Sequence, residues 1–543
     1  MRSLFVRLGW AAVSAVVLDF CFPVAGPLPP MRAVLSMVAL VPLFWALLQP
    51  AAVKRPRYLL ESALVGYVCG VLWYGLNCYW IYATMHIYGG LPPAVSVGIV
   101  VLFSIILGLY FALFGLLTAL VRRGTDRVLY AALAIPVLWV AVEYLAAHFT
   151  CVPWDQLGYS EVDNLLLTRL APVTGVYGIS CVLAGVNALW LGIFFARSRR
   201  RQMRFAAGAL FATCALQLGS VWQRAPQPAG SRAVMVQPDL KVGAGLAEEN
   251  IWIGPSWTAH TNEYLELSSE NCSPYLLGMP QPHPQKVTRV CLGEQVKPAL
   301  VLWPESPSPF RDGDPLFLLL LAKLTAQTGA TAVVGAPVIE PNNDAFNAAL
   351  VLRPDGSREG RYDKIHLVPW GEYEPFKQFF AFAGHLTQNV GDFSPGRSRA
   401  SFALPDGHRF GIFICYEAVF ASEIRLFAKN GAQVFVNISD DGWYGDTSAP
   451  WQHLNMARMR AIENNRWIVR DTNSGVTAAI DPLGRVTESI PRHELTELTA
   501  DYGYRSGMTF YTRFGDVFAW LCEILSLAVL LFSAWEFRRR KRG

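Results

Sequence analysis

Charge is scarce in this chain. Only 16% of its 543 residues are Asp, Glu, Lys or Arg, whereas 53% are hydrophobic, and the mean hydropathy is +0.29. That balance excludes an ordinary soluble protein and points to the membrane class. The net charge of +5 is not gathered into a nucleic-acid patch, because the basic residues cluster between apolar segments. Also lacking are a CxxC pair, any zinc-type spacing and a glycine-rich phosphate loop, so neither a metal nor a cofactor is expected. The ten cysteines are scattered, and six of them (Cys21, Cys69, Cys78, Cys181, Cys214 and Cys522) lie in apolar stretches where packing is the simpler role.

What is present is a series of long apolar runs. Stretches close to the roughly 20 residues that cross a bilayer lie at 5–22, 33–52, 59–82, 93–121, 128–147, 171–196, 205–222 and 515–536. The first has Arg2 and Arg7 ahead of an apolar core, as a signal peptide would, but no small-residue cleavage site precedes "PVAGPLPP", so it reads as a span. Lys54, Arg55 and Arg57 follow the second span, Arg122, Arg123 and Arg127 the fourth, and Arg197, Arg199, Arg200, Arg201 and Arg204 the sixth. The alternate loops have almost no Lys or Arg. The positive-inside rule then makes the even-numbered loops and the "RRRKRG" tail cytoplasmic, and turns the segment between spans seven and eight outward. Three regions result: seven spans in 1–222, an outer domain in 223–514, and a last span with a basic tail in 515–543.

The outer segment reads as α/β. Strands are expected at 233–237, 299–303, 330–337, 347–356, 409–415, 432–439 and 466–472, and helices at 313–328 and 450–465. Residues 265–298, rich in Pro and polar residues, look like an insertion. It holds Cys272 and Cys291, which either pair in an oxidising compartment or stand as two free thiols.

Three polar residues follow apolar strands closely: Glu305 in "LVLWPES", Lys364 in "RYDKIHLVPWGEYEP" and Cys415 in "GIFICYEAVF". Strand carboxyl ends are where α/β sites gather. Singly, each has a plain explanation: a helix-cap carboxylate, a surface charge, a buried thiol used as a small hydrophobe.

Jointly the three contexts resemble the nitrilase (carbon–nitrogen hydrolase) superfamily and its Glu-Lys-Cys triad, which implies an α-β-β-α sandwich. In that reading Cys415 is the nucleophile and Glu305 its base, while Lys364 and backbone N–H groups stabilise the tetrahedral oxyanion. Lys364 and a helix N-terminus are expected to favour the thiolate. Glu372 in "PWGEYEP" and Glu417 in "CYE" match supporting carboxylates, with loop salt bridges as the alternative. The stretch "SDDGWYGDTSAPWQHLNMARMRAIENNRWIVRDTNSGVTAAIDPLGRV" also fits, although Asp440 stands where asparagine is commoner.

Seven spans before such a domain and one after resemble the apolipoprotein N-acyltransferase family over essentially the whole chain. The resemblance implies acyl transfer from a membrane phospholipid, typically phosphatidylethanolamine, to the α-amino group of an S-diacylglyceryl-cysteine apolipoprotein. The route would be ping-pong through a Cys415 thioester, in a monomer of the bacterial inner membrane with its catalytic domain facing the periplasm. Two alternatives stay open: a membrane-tethered amidase in which water resolves the thioester, and a transporter or receptor with an inactive outer domain. The second is weakened because no span carries a string of ionisable residues, Glu143 being the chief exception. Trp370, Tyr373, Phe376, Phe379, Phe380 and Phe382 crowd one loop, which reads equally as an acyl-gripping lid or as packing. Trp443 and Tyr444 are similarly ambiguous.

Overall fold

The computed structural model describes residues 2–222, 225–243, 264–268, 297–305, 312–373 and 393–542. Cys272, Cys291, nearly all of the 265–298 insertion, and Phe376, Phe379, Phe380 and Phe382 lie outside these.

Seven described helices are long and apolar enough to cross a membrane: Met31–Leu48, Tyr58–Asn77, Pro93–Thr125, Val128–Phe149, Val176–Phe195, Arg199–Val221 and Val517–Arg542. The first expected span forms a helix, Arg2–Asp19, but is not among them. It carries Arg2, Arg7 and Asp19 in 18 residues, and Arg7 is fully buried. A guanidinium survives there because every branch is bonded: Nε donates to the Ala46 carbonyl at 2.8 Å, Nη1 to Glu61 at 3.1 Å and Nη2 to Ser62 Oγ at 2.8 Å. The second expected span is broken into short turns, with Pro42 opening the helix Val41–Leu48.

Lipid offers no hydrophobic drive for helix association, so close packing of small residues substitutes for it. Tyr58–Asn77 and Pro93–Thr125 cross through glycine on both sides. A Cβ at Gly66 would lie 2.1 Å from the Phe111 carbonyl oxygen, and one at Gly115 would lie 2.4 Å from that of Ser62.

The outer segment folds into two six-stranded sheets. With β1 (Ser231–Gln237), β2 (Leu300–Trp303), β3 (Thr331–Ile339), β4 (Ala345–Leu352), β5 (Arg358–Asp363) and β12 (Thr496–Tyr502), the first runs β12-β1-β2-β3-β4-β5. The second runs β11-β10-β9-β8-β7-β6, from β6 (Ser401–Ala403), β7 (Arg409–Ile414), β8 (Val434–Ser439), β9 (Trp467–Thr472), β10 (Ala478–Ile480) and β11 (Val486–Ser489). Alternation sorts the faces. Ala233, Leu302 and Val333 join Ile412, Val436 and Ile468 in the core between the sheets. Val234, Val301 and Val334 turn the other way, onto Leu320, Leu321 and Leu324 of the helix Pro315–Thr328.

Every expected strand is present, with one changed: the run 347–356 is a strand only to Leu352, after which a turn leads into β5. The strands β5, β6, β10, β11 and β12 escaped prediction because they are short or strongly polar. A helix at Ala421–Lys429 also escaped.

The helix Ala449–Asn464 joins the two halves. Its Gln452 Nε2 donates to the Pro23 carbonyl at 3.1 Å and to Asn77 O and Oδ1 at 3.2 and 3.1 Å, while Trp154 Nε1 donates to Gln452 Oε1 at 2.8 Å. Farther along, Arg460 reaches Tyr159 Oη at 2.7 Å, and Glu463 accepts from the Val176 amide at 3.1 Å.

If the glycine seam sets the spacing of the bundle, Gly66→Val should destabilise the protein by about 1–3 kcal/mol, the usual cost of overpacking. The check is a lower unfolding midpoint in detergent, with Gly9→Ala, where an added Cβ meets nothing within 4 Å, unchanged.

Candidate active site

Cys415, Lys364 and Glu305 are brought to one end of the sandwich by strand endings. Glu305 follows β2 by two residues, Lys364 follows β5 directly, and Cys415 follows β7 directly. All three are buried, at 6%, 1% and 6% exposure.

Lys364 Nζ donates to Glu305 Oε1 at 2.9 Å and to Glu372 Oε1 at 2.8 Å. Asn347 Nδ2 donates to the same two oxygens, each at 2.7 Å. The remaining oxygens take backbone amides: Glu305 Oε2 from Asp440 at 2.9 Å, and Glu372 Oε2 from Val368 at 2.8 Å. Burial alone would lower the Lys364 pKa, but Glu305, then Glu372, then Cys415 overcome it and hold the ammonium well above its usual range.

Cys415 differs from expectation. Its thiol is pushed well above the ordinary range, first by burial and then by the Glu305 charge, and Lys364 only partly offsets them. The resting thiol is therefore neutral. The expected helix N-terminus is also slight, since Cys415–Val419 is a single 3-10 turn. Were this thiol to act as a nucleophile, a group would have to take its proton, and Glu305 is the carboxylate whose charge raises the thiol most.

Glu417 does not face this charge cluster as a further acid. Its Oε1 accepts from Tyr362 Oη and the Ile365 amide at 2.7 Å each and from the His366 amide at 3.2 Å, while Oε2 accepts from the Ile414 amide at 2.7 Å. It ties the backbone after Lys364 to the backbone before Cys415. Burial raises its pKa against these hydrogen bonds.

Asp440 lies beside Glu305, and its Oδ1 accepts from the Gly442 amide at 3.0 Å and Asn473 Nδ2 at 3.1 Å. Burial and then the Glu305 charge push its carboxyl up to about 7. Beneath Cys415 runs a second polar chain. Arg470 Nη2 meets Asp441 Oδ2 at 2.6 Å, Asp441 Oδ1 meets His453 Nδ1 at 2.9 Å, and His453 Nε2 meets the Cys415 carbonyl at 2.9 Å. Burial would raise the Asp441 pKa, but Arg470 and then His453 hold it well below the carboxylate range.

Sequence reasoning passed over Asn347, Tyr362, Asp441, His453 and Arg470. Asn347 carried a usable signal, being a polar residue inside an otherwise apolar strand. Of the expected lid aromatics, Trp370 and Tyr373 are described: the Trp370 amide donates to the Tyr373 carbonyl at 2.9 Å, and Tyr373 is 36% exposed. Trp443 is partly exposed, whereas Tyr444 is buried against Trp80 and Trp154 of the helical region. No cluster of metal-ligating side chains occurs among the described residues.

The family described as the apolipoprotein N-acyltransferase N-terminal domain matches residues 14–189, and the carbon-nitrogen hydrolase family matches residues 293–502. An apolipoprotein N-acyltransferase of Geobacter metallireducens is 33% identical over 98% of this chain and 95% of its own length. This chain belongs to the apolipoprotein N-acyltransferase family. A family relative from Nitrosomonas europaea is 30% identical over 98% of this chain and 97% of its own. Among solved structures, that of Saccharomyces cerevisiae Nit3, of the nitrilase superfamily, shares 16% identity over 51% of this chain and 93% of its own, at a TM-score of 0.35. Membership of the apolipoprotein N-acyltransferase family makes the chain a bacterial inner-membrane acyltransferase, with apolar helices preceding a carbon-nitrogen hydrolase domain.

Asp440 yields a pH test with a definite sign. Its carboxyl titrates near 7 in the fold and near 3.9 in an unfolded chain. Folding is therefore unpenalised below the lower value and loses stability as pH rises toward and past the upper one. Asp440→Asn should raise the free energy of unfolding at pH 8 by an amount on the order of a few kcal/mol, read as a higher unfolding midpoint, and leave it nearly unchanged at pH 4. Equal shifts at both pH values would contradict the assignment.

Proposed function

We propose that this enzyme moves an acyl chain from a phospholipid, phosphatidylethanolamine being the expected donor, to the α-amino group of an S-diacylglyceryl-cysteine apolipoprotein. The observation that carries this reading is the buried Lys364 shared by Glu305 and Glu372 at strand ends that also present the buried Cys415, in a chain related along its whole length to apolipoprotein N-acyltransferases.

Chemistry follows from the charges. Glu305 takes the thiol proton as sulfur attacks the ester carbonyl of the donor. The oxyanion of the tetrahedral adduct gains stability from the Lys364 ammonium, whose charge is already fixed by two carboxylates and needs no reorganisation. Collapse breaks the ester C–O bond, and Glu305 returns the proton to the departing lysophospholipid alkoxide. The acceptor amine then attacks the thioester, gives up its proton to Glu305, and leaves as an amide while Cys415 regains its thiol. Glu372 shares the lysine and sets its position, and Glu417 holds the two catalytic backbones together.

Both substrates are lipid-anchored, which favours a site beside the bilayer that they reach by lateral diffusion. The basic loops at 54–57, 122–127 and 197–204 support cytoplasmic placement of those turns and a periplasmic catalytic domain. We assign residues 1–222 and 515–543 to the membrane part and 223–514 to the catalytic part. We take the acting unit to be a monomer.

Purified enzyme incubated with phosphatidylethanolamine alone should accumulate an acyl group on Cys415, detected by mass spectrometry. Glu305→Gln should slow that step by about 10²–10⁴-fold, the range ordinary for loss of a general base. The thioester should outlast many turnover times in buffer and discharge when a diacylglyceryl-cysteine peptide with a free amino terminus is added. An N-acetylated peptide should leave it intact. Release of free fatty acid at one rate with or without peptide would identify an amidase-like hydrolase instead.

Orientation has its own test. A reporter fused after residue 225 should be active outside the cytoplasm, and one fused after residue 540 inside. A cytoplasmic signal from the first would overturn the orientation.

A further inference from the structure

Cys415 holds a backbone conformation that side-chain-bearing residues rarely adopt, with φ at +47°. Left-handed backbone at a non-glycine residue persists where surrounding contacts impose it, and such residues gather at active sites. The contact made to its carbonyl comes from outside the turn. His453, with no exposed surface, places Nε2 2.9 Å from that oxygen, and because a carbonyl only accepts, Nε2 must be the donor.

The imidazole is itself held on several sides. Nδ1 lies 2.9 Å from Asp441 Oδ1 and 3.1 Å from Arg470 Nη2; Asp441 Oδ1 also accepts from Ser439 Oγ at 2.7 Å. Trp154 of the helical region stacks on the ring at 6.2 Å between centroids and 22° between planes, and Tyr444 meets it edge-on at 6.1 Å. The preceding residue, Gln452, pins the same helix to Pro23, Asn77 and Trp154. The ring therefore has one available orientation, and its bond to the turn is buried where water cannot replace it.

We infer that His453 is a positioning residue for the nucleophile: through its Nε2–H bond to the Cys415 carbonyl it holds the left-handed turn that aims the thiol, using the helix that docks on the membrane part as its support. It touches no reacting atom and moves no proton in the reaction. The inference rests on the assignment of Cys415 as nucleophile in the proposed function.

Two substitutions separate the hydrogen bond from packing. His453→Leu fills the volume without a donor, whereas His453→Gln returns an amide N–H near the position of Nε2. Rates of Cys415 acylation from phosphatidylethanolamine are measured per folded enzyme, counted by the amplitude of thermal unfolding, with the modified residue located by mass spectrometry. His453→Leu should acylate about 100-fold more slowly, as expected when a buried acceptor in a strained turn loses its donor. His453→Gln should stay within about 10-fold of the parent, and KM for phospholipid should be unchanged in both. Acylation by His453→Leu within about 3-fold of the parent, no rescue by His453→Gln, or a loss appearing in KM instead of rate would each overturn the role of His453 while leaving Cys415 as nucleophile. An acyl group found on another residue of the parent enzyme would overturn the nucleophile assignment and this inference with it.

Discussion

A lysine ammonium with 1% exposure can stay charged only if its surroundings repay the lost hydration, and the candidate site is arranged around that requirement. Two carboxylates share Lys364, and Asn347 bonds the same pair of oxygens from the other side. Three separate stretches of chain must meet for this: the end of β2, the strand pair β4–β5, and the loop that carries Glu372. Removing one carboxylate would leave a buried charge half compensated, a change costing far more than an exposed ion pair would. The same concentration of charge explains why the thiol beside it rests neutral. Negative Glu305 and burial outweigh the lysine at Cys415, so the charge balance favours proton removal during the reaction over a standing thiolate.

The second constraint is mechanical. A domain joined to a bundle of apolar helices needs a fixed relation to it, and here the helix Ala449–Asn464 is the shared part. One of its residues, Gln452, satisfies its amide entirely on groups of the helical region, and the next, His453, bonds the Cys415 carbonyl. Buried amide and guanidinium bonds of this kind are directional, so they specify one docked arrangement where apolar contact alone would allow sliding. Bundle and sandwich thus meet through a helix that belongs to the core of one and the socket of the other.

Much of this was legible in the residues. Long apolar runs predict membrane helices because lipid tolerates little else, and alternating or continuous apolar runs in 233–237, 299–303 and 409–415 predict strands because buried sheets demand them. Glu305 and Cys415 were conspicuous since each closes such a run, and Lys364 stood out by the motif around it. The first helix forms where a span was expected, but what composition cannot show is how its one internal charge is met: Glu61 and Ser62 bond Arg7 from another helix. The strands β11 and β12 were missed because polar residues on one face hide a period that only pairing partners reveal.

By itself, the sequence determined the two-part architecture, the strand endings that carry Glu305 and Cys415, and the family to which the three candidate groups point, all of which depend on patterns local to a few residues. Tertiary structure decided what those groups are in one another's presence. That Lys364 is shared between Glu305 and Glu372, that Glu417 ties two stretches of backbone, that the Asp440 carboxyl is pushed up to about 7, and that His453 reaches the Cys415 carbonyl are all consequences of distance and burial. Electrostatic energies and hydrogen bonds depend on separations of a few ångströms between residues tens to hundreds of positions apart, and no local pattern contains them.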